Sequence, residues 1–458
     1  MIAGDTVSAL RFRVCMIGVV ALAVAIQLRF IDVSVGSALS PVGRYARTQA
    51  YWMVRGDWFV NPLGRVDPAR SVSALHPPLT SLLLGAADVA GADGVTAQRV
   101  LFALIFCAAV VVAGLTVRLL AGDRAAVLAA LVVATMPSLW VNPASLGAET
   151  LVIALTVLLL FASVRFRQRP DVAGAAEIGA YLGLALLTRT DLAALVVVVV
   201  PVVLAARRLS WFERVKLSGV VVAVAVIIVS PWAVRNLATF SGTTLVSDDA
   251  GSVLAGANCA TTYEGSQVGW WSGECVTRAA RTVDAVRPVR PVRPARPARA
   301  TSQARRLPAA GDQAVVAGKE SRVGRRYATD HLGAFLRVGL IRIGRMWDVF
   351  HPFGQSRLEA GVGRPVWVSD LSVWYLYALV PLAVLGGAVL WLRKAPVFPF
   401  AGLVVLSTCT AFVAYGDARF RVEADVALAM LGGVALDWLW RRGNHHVRRA
   451  RAGRMAAS

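Results

Sequence analysis

Charge is scarce in this sequence. Only 16% of its 458 residues are charged, against 57% that are apolar, and the mean hydropathy is +0.61. A water-soluble chain of this length carries far more charge, so the scarcity excludes a soluble globular protein and leaves a membrane-embedded one. Acidic residues are the scarcest: 27, against 48 basic ones, for a formal net charge of +21. That imbalance alone would suit nucleic acid. The basic residues, however, stand in short clusters flanking apolar runs, which argues against nucleic acid as a partner. Cysteine and histidine are few, five of each, and no histidines cluster beside a cysteine pair. No inverted repeat is visible, and polar motifs gather at only one set of span ends, which counts against a transporter.

What is abundant is apolar sequence in helix-length runs. A hydrocarbon core about 30 Å thick needs roughly 20 apolar residues per helix. Ten segments approach that: 14–31, 99–117, 125–141, 150–164, 174–187, 192–206, 215–232, 371–392, 396–414 and 424–440. The expected fold is an all-α polytopic membrane protein. The stretch 79–90, interrupted by Gly85 and Asp88, is too short to span and suggests a shallow or re-entrant helix. Arg11 and Arg13 precede the first run as they would in a signal peptide, but "VGSA" is a poor cleavage site, so the run is expected to stay as an anchor.

Arginine placement gives an expected orientation. Arg118 and Arg124, the cluster 165–169, the cluster 207–216, Arg393 with Lys394, and the tail 441–458 all fall on one side, as do Arg11 and Arg13. The short loops on the other side hold only Arg189, Arg419 and Arg421. By the positive-inside rule both termini are cytoplasmic and the protein sits in a cell membrane. The chain then divides into an N-terminal membrane region 1–232 with a first outer loop 32–98, a large outer loop 233–370, C-terminal spans 371–440 and a basic tail 441–458. Within the large loop, "VRPVRPVRPARPARA" (286–300) favours extended polyproline geometry and reads as a solvated insertion or, alternatively, a polyanion-binding strip. After it, 331–350 carries apolar residues at helical spacing with Arg337, Arg342 and Arg345 between them, which suits an amphipathic helix on the outer membrane surface.

The polar motifs all fall at outer span ends: "HPP" with His76, Glu149, "TRTD" with Arg189 and Asp191, "PWAVRN" with Arg235, and "YGDARFR" with Arg419 and Arg421. Charges next to a membrane core are costly and mark substrate sites. Arginine forks match phosphate oxygens, so Arg419 and Arg421 suggest a phosphate site, with interfacial snorkelling as the plain alternative. Arg189 beside Asp191 equally fits a local ion pair, and Arg235 a helix-end anchor. Glu149 opens a helix, where its charge suits the helix dipole as well as catalysis. His76, at a rigid proline corner, is expected to shape a cavity or touch a phosphate. Cys259 and Cys275, 16 positions apart in the large outer loop, most simply form a disulfide, with metal ligation the weaker option.

Together these motifs resemble the GT-C superfamily of integral-membrane glycosyltransferases, in the branch of aminoarabinose transferases and protein O-mannosyltransferases (glycosyltransferase family 39) and its actinobacterial form. "YARTQAYWMVRGDWFVNP" with "SALHPPL" is similar to that family's first outer loop, "MPSLWVNPASLGAETL" to its second and "LGLALLTRTDLAAL" to its third. "SPWAVRNLATF", "GSVLAGANCATTYEGSQVGWWSGEC" and "YGDARFRVEADVALAML" resemble its large loop and final span. The resemblance implies about ten transmembrane helices with two long extracytoplasmic loops. It also implies transfer of a sugar from a polyprenyl-phosphate donor, out of the membrane lipid, to a cell-envelope acceptor it does not identify. Arg419, Arg421, Arg189, Arg235 and His76 would meet the donor phosphate; Glu149 or Asp57 would serve as catalytic carboxylate. No cofactor is demanded, and a divalent metal is an open option. The sequence also departs from the family. The Asp usually found eight residues before the Ala of the first-loop Gln49–Ala50 pair reads Val42, and the Asp after "W-x-N" reads Pro143. Neither side chain accepts a proton, so a catalytically degenerate relative that binds lipid-linked sugar or a partner is the alternative function, and a transporter a remoter one.

Overall fold

The computed structural model describes residues 2–37, 39–62, 72–206, 208–281, 312–361 and 363–455. The Arg-Pro tract 286–300 lies outside them. The described residues form helices joined by turns, and the only strand-like feature among them is an isolated bridge between Val60 and Val72. The helices are α1 (Ile2–Val33), α2 (Pro41–Met53), α3 (Leu79–Val89), α4 (Val95–Ala121), α5 (Asp123–Thr135), α6 (Pro137–Trp140), α7 (Asn142–Ser145), α8 (Glu149–Gln168), α9 (Val172–Leu186) and α10 (Val196–Leu204). They continue with α11 (Trp211–Thr239), α12 (Asp249–Ala257), α13 (Ala260–Tyr263), α14 (Gly273–Arg281), α15 (Gln313–Asp330), α16 (Leu332–Met346), α17 (Pro352–Ala360), α18 (Val366–Leu392), α19 (Phe398–Val413) and α20 (Val422–Met455).

Each of the ten apolar segments falls on a helix, and α3 is the short helix expected at 79–90. The protein is a multi-pass membrane protein. Five helices, α1, α4, α8, α11 and α18, are long and apolar enough to cross a bilayer by themselves. The segment 125–141 is not one straight rod. At Pro137, which cannot donate to the preceding turn, the chain bends by 60° between α5 and the short helices after it. α9, α10 and α19 are shorter, and α20 runs unbroken from the last apolar segment into the basic tail.

Local chemistry fixes the helix ends. Ser210 and Glu213 close a reciprocal capping box on α11, Asp171 caps α9, and Ser40 caps α2 with Pro41 just inside it. Small residues let helices approach closely. A side chain at Gly179 on α9 would strike the backbone of Val221 on α11, and one at Gly433 on α20 would strike Ala129 on α5. α8 is the interior helix, 78% buried over its apolar stretch, whereas α11 at 22% is peripheral and presents its valines and isoleucines outward.

The segment 331–350 differs from its expected disposition. α16 does have two faces, but Arg342 and Arg345 point inward and are fully buried, while Leu332, Leu336 and Leu340 are exposed. Arg342 donates to the carbonyls of Ala257 (2.6 Å) and Phe412 (3.2 Å) and to Asn258 (3.0 Å). Arg345 donates to Ser266 O (3.0 Å) and Gln355 (3.1 Å). Backbone carbonyls left over at loop and helix ends need donors, and these guanidinium groups supply them. The arginines therefore pin the large loop to the helices, and the leucines are left for the lipid.

Candidate active site

The proline corner organises one wall. Pro77 and Pro78 end a short extended passage, and the amide of Leu79 donates to Leu187 O at the end of α9 (2.9 Å). Tyr45 on α2 reaches across to Ser73 (2.6 Å) and meets the His76 ring edge-to-face at 4.8 Å. The corner thus seats His76 against α2. Burial holds the imidazole below its ordinary pKa, against the opposing pull of Asp249 and Glu149.

His76 lines a cavity of about 820 Å³. Glu149 enters it from the first turn of α8, Asp248 and Asp249 from the start of α12, Trp270 and Trp271 from the large loop, Glu320 from α15, and Asp417 and Arg419 from the turn before α20. Cys259 and Cys275 are joined as a disulfide, which ties the loop carrying the two tryptophans to α14. A Cβ at Gly147 would meet the Glu149 carboxylate, so a larger residue there would turn that carboxylate aside. Asp417 accepts the amide of Arg419 (2.9 Å) and so shapes the tight turn 418–421; burial pushes its carboxyl up to about 6.

That turn separates two arginines that the sequence presents as equivalents. Arg419 faces the cavity. Its guanidinium pairs with no carboxylate among the described residues, and its buried Nε has no hydrogen-bond partner; the Phe420 ring lies 5.3 Å below it. Arg421 points the other way, fully buried, and pairs with Asp348 (2.7 Å) and Asp425 (3.0 Å). Arg189 is also neutralised locally, between Asp191 and Glu423, and donates to Arg419 O (3.0 Å), which braces the turn from behind. Arg235 lies outside the cavity, among the rings of Phe59, Trp232 and Phe240, and donates to Ser73 O (3.2 Å). Asp57 sits in the turn after α2, half-exposed, and lines neither this cavity nor the small one behind it. The structure thus brings together Glu149, His76 and Arg419, with Arg189 in support, and leaves Arg421, Arg235 and Asp57 elsewhere.

Sequence reading missed Asp249, Glu320, Arg99, Glu359 and Arg364, all on the cavity wall. The adjacent acids Asp248–Asp249 within the large loop were the one available signal. Val42, at the position where the resembling family carries an Asp, lines both this cavity and the small one behind it, as Glu149 does. Pro143 is buried in α7. Among the described residues no three His, Cys, Asp or Glu side chains gather in one place.

Residues 75–234 match the family model described as dolichyl-phosphate-mannose-protein mannosyltransferase. The archaeal oligosaccharyltransferase AglB from Archaeoglobus fulgidus, solved with an inhibitory peptide and a dolichol-phosphate, shares the fold at a TM-score of 0.54 and 14% identity, over 96% of this chain and 51% of that one. The Archaeoglobus fulgidus oligosaccharyltransferase with Zn and sulfate gives a TM-score of 0.52 at 16% identity, over 96% and 51%. The chain has a GT-C-like fold. It spans about half the length of these solved structures, and no curated protein sequence matches it. The matched segment 75–234 supplies His76, Glu149 and Arg189, whereas Asp249, the tryptophans and Arg419 come from beyond it.

Proposed function

We propose that the chain is a glycosyltransferase of the cell membrane, working at its outer face with both termini in the cytoplasm, that moves a sugar from a polyprenyl-phosphate donor to a cell-envelope acceptor. The observation that carries this is Arg419: a cation on the cavity wall that forms no close ion pair among the described residues and whose buried Nε has no hydrogen-bond partner. Its fork is therefore available to a phosphate oxygen, which it would hold by charge-assisted hydrogen bonds. The description of the matching family and the dolichol-phosphate in the archaeal complex agree in ligand class.

Chemistry follows from the neighbours. Glu149 accepts the proton of an acceptor hydroxyl; the hydroxyl oxygen bonds to the anomeric carbon; the bond from that carbon to the phosphate oxygen breaks, and its electron pair leaves with the lipid phosphate. Arg419 stabilises the charge that develops there. One base suffices for such an inverting displacement. His76 and Tyr45 hold the shape of the wall between them. Asp57 would need the first loop to move before it took the same part.

Val42 favours a second reading, a binding protein without turnover, because an apolar side chain stands on the wall where the family's acid is expected. Transfer of labelled sugar from polyprenyl-phosphate donors in proteoliposomes tests both. Glu149→Gln should cost about 10²- to 10⁴-fold, the range for losing a general base, while Val42→Asp should preserve or raise the rate. No transfer by the wild type but transfer by Val42→Asp would establish the degenerate alternative.

A further inference from the structure

One carboxyl on the cavity wall has no part in the chemistry above. Six acids line the cavity among the described residues. Asp248 accepts from Thr244, Asp249 from Ser247 (2.7 Å), Asp417 from the Arg419 amide (2.9 Å) and Glu359 from Ser369 (2.7 Å). The side chains of the other two, Glu149 and Glu320, accept no hydrogen bond and make no close ion pair among the described residues. Glu149 is the base proposed above. Glu320 on α15 is 8% exposed, and no charge or hydrogen bond offsets its burial. Polar groups buried to this degree are hydrogen-bonded as a rule, so a molecule in the cavity is where its donors are to be found.

Close helix packing fixes the place of Glu320. A Cβ on Gly251 of α12 would strike the backbone of Ala317, and one on Gly324 would strike that of Leu254. Glu320 stands between these two contacts. The same stretch of α12 carries Trp271, whose indole Nε1 donates to Ser252 O (3.0 Å) and whose ring lies against Gly256, where a Cβ would collide with it. Carboxyl and indole thus share one support and line one cavity. Tyr415 connects them to the phosphate end: its ring centroid is 6.4 Å from that of Trp271 and 6.0 Å from the guanidinium carbon of Arg419. An ionised carboxyl only accepts hydrogen bonds, and an indole offers a broad apolar face. A sugar ring has the matching parts, O–H groups at its edge and C–H groups on its faces.

We propose that Glu320 determines which sugar the donor carries, by accepting hydrogen bonds from hydroxyls of the sugar ring while Trp271 lies beside the ring's apolar face. The proposal rests on the function proposed above, in which the donor phosphate sits at Arg419. Two anchors of opposite charge then hold the donor, one at its phosphate and one at its sugar, and Glu149 stays free for the acceptor. A site built to bond a hydroxyl rejects an analogue in which that hydroxyl is missing or turned away, because the buried carboxyl is again left unpaired.

Binding of undecaprenyl phosphate to the purified full chain tests this, with the lipid either bare or carrying mannose, glucose or arabinose. Wild type should bind one of the glycosylated lipids about tenfold tighter than the bare one, as a hydrogen bond to a charged group provides. Glu320→Ala should lose that preference and bind the bare lipid as the wild type does. Glu320→Gln, of the same shape and with one acceptor left, should keep part of the preference, and it decides the matter if Glu320→Ala does not fold. A preference unchanged in both variants, an equal loss for bare and glycosylated lipid in a folded variant, or no preference in the wild type would overturn the proposal. Bare-lipid binding unchanged in Arg419→Ala, beside a sugar preference that Glu320→Ala abolishes, would instead overturn the phosphate assignment alone.

Discussion

At the scale of single residues, the difference between Arg419 and Arg421 is the most instructive. Both precede the last span by one to three residues, and both read equally well as phosphate ligands. The 3₁₀ turn 418–421 aims the first into the cavity and the second into the core, where two aspartates neutralise it. Their substitutions should separate cleanly. Arg419→Ala should leave the melting temperature nearly unchanged and weaken polyprenyl-phosphate binding by about 1.5–3 kcal/mol. Arg421→Ala should cost about 3–5 kcal/mol of stability, because Asp348 and Asp425 lose their partner. Thermal denaturation beside lipid-phosphate binding measures both, and destabilisation by Arg419→Ala with normal stability in Arg421→Ala would reverse the assignment.

Glu320 carries a pH signature. It is 8% exposed, and burial pushes its carboxyl up to about 7. A raised acid is neutral in both states at low pH, so its penalty is absent there; stability falls as pH rises from the unfolded pKa near 4.5 through about 7. Glu320→Gln should therefore melt with the wild type at pH 5 and a few degrees higher at pH 8. A difference as large at pH 5 as at pH 8 would show that packing, not ionisation, is responsible.

At the scale of elements, the large loop is held by two devices, a covalent one and a polar one. The Cys259–Cys275 bond sets the segment bearing Trp270 and Trp271 on the cavity, and Arg342 and Arg345 of α16 clamp its carbonyls. Closing a loop of this size contributes about 3 kcal/mol in the chain-entropy model. Neither sulfur should react with a thiol reagent before reduction, and Cys275→Ser should lower stability by about that amount. Reaction of Cys259 or Cys275 in the unreduced protein would contradict the bond. The apolar period of α16 was legible from its sequence; which face carried the burden was not. Arginines at helical spacing look like a polar face, but here their donors meet orphan carbonyls of neighbouring segments, and only those neighbours reveal it.

At the scale of the whole molecule, the helical bundle gathers residues from 30 to 419 round one cavity, with the tract 286–300 outside the described residues. Removing 286–300 should leave expression, membrane insertion and melting temperature unchanged, since Arg-Pro repetition has no apolar face to bury and loop length costs little. Loss of folded protein on that deletion would assign the tract a structural part.

The sequence by itself determined the class of the protein and its helices. Hydropathy is a local property, and a run of apolar residues of bilayer length has few alternatives to a helix; hence all ten segments are helical. It also determined part of the site: His76, Glu149 and Arg419 were legible because polar groups at span ends are rare and stand out. Tertiary structure alone decided which charges are free. Whether an arginine is spent on a carboxylate depends partly on residues far away in the chain, as Asp348 for Arg421, and no local pattern encodes that distance; the pairing of Arg189 with Asp191, two residues on, was the local exception. For the same reason Arg99, which reads as one cation near the start of an apolar helix, became a cavity residue only when α1, α4 and α7 closed round it.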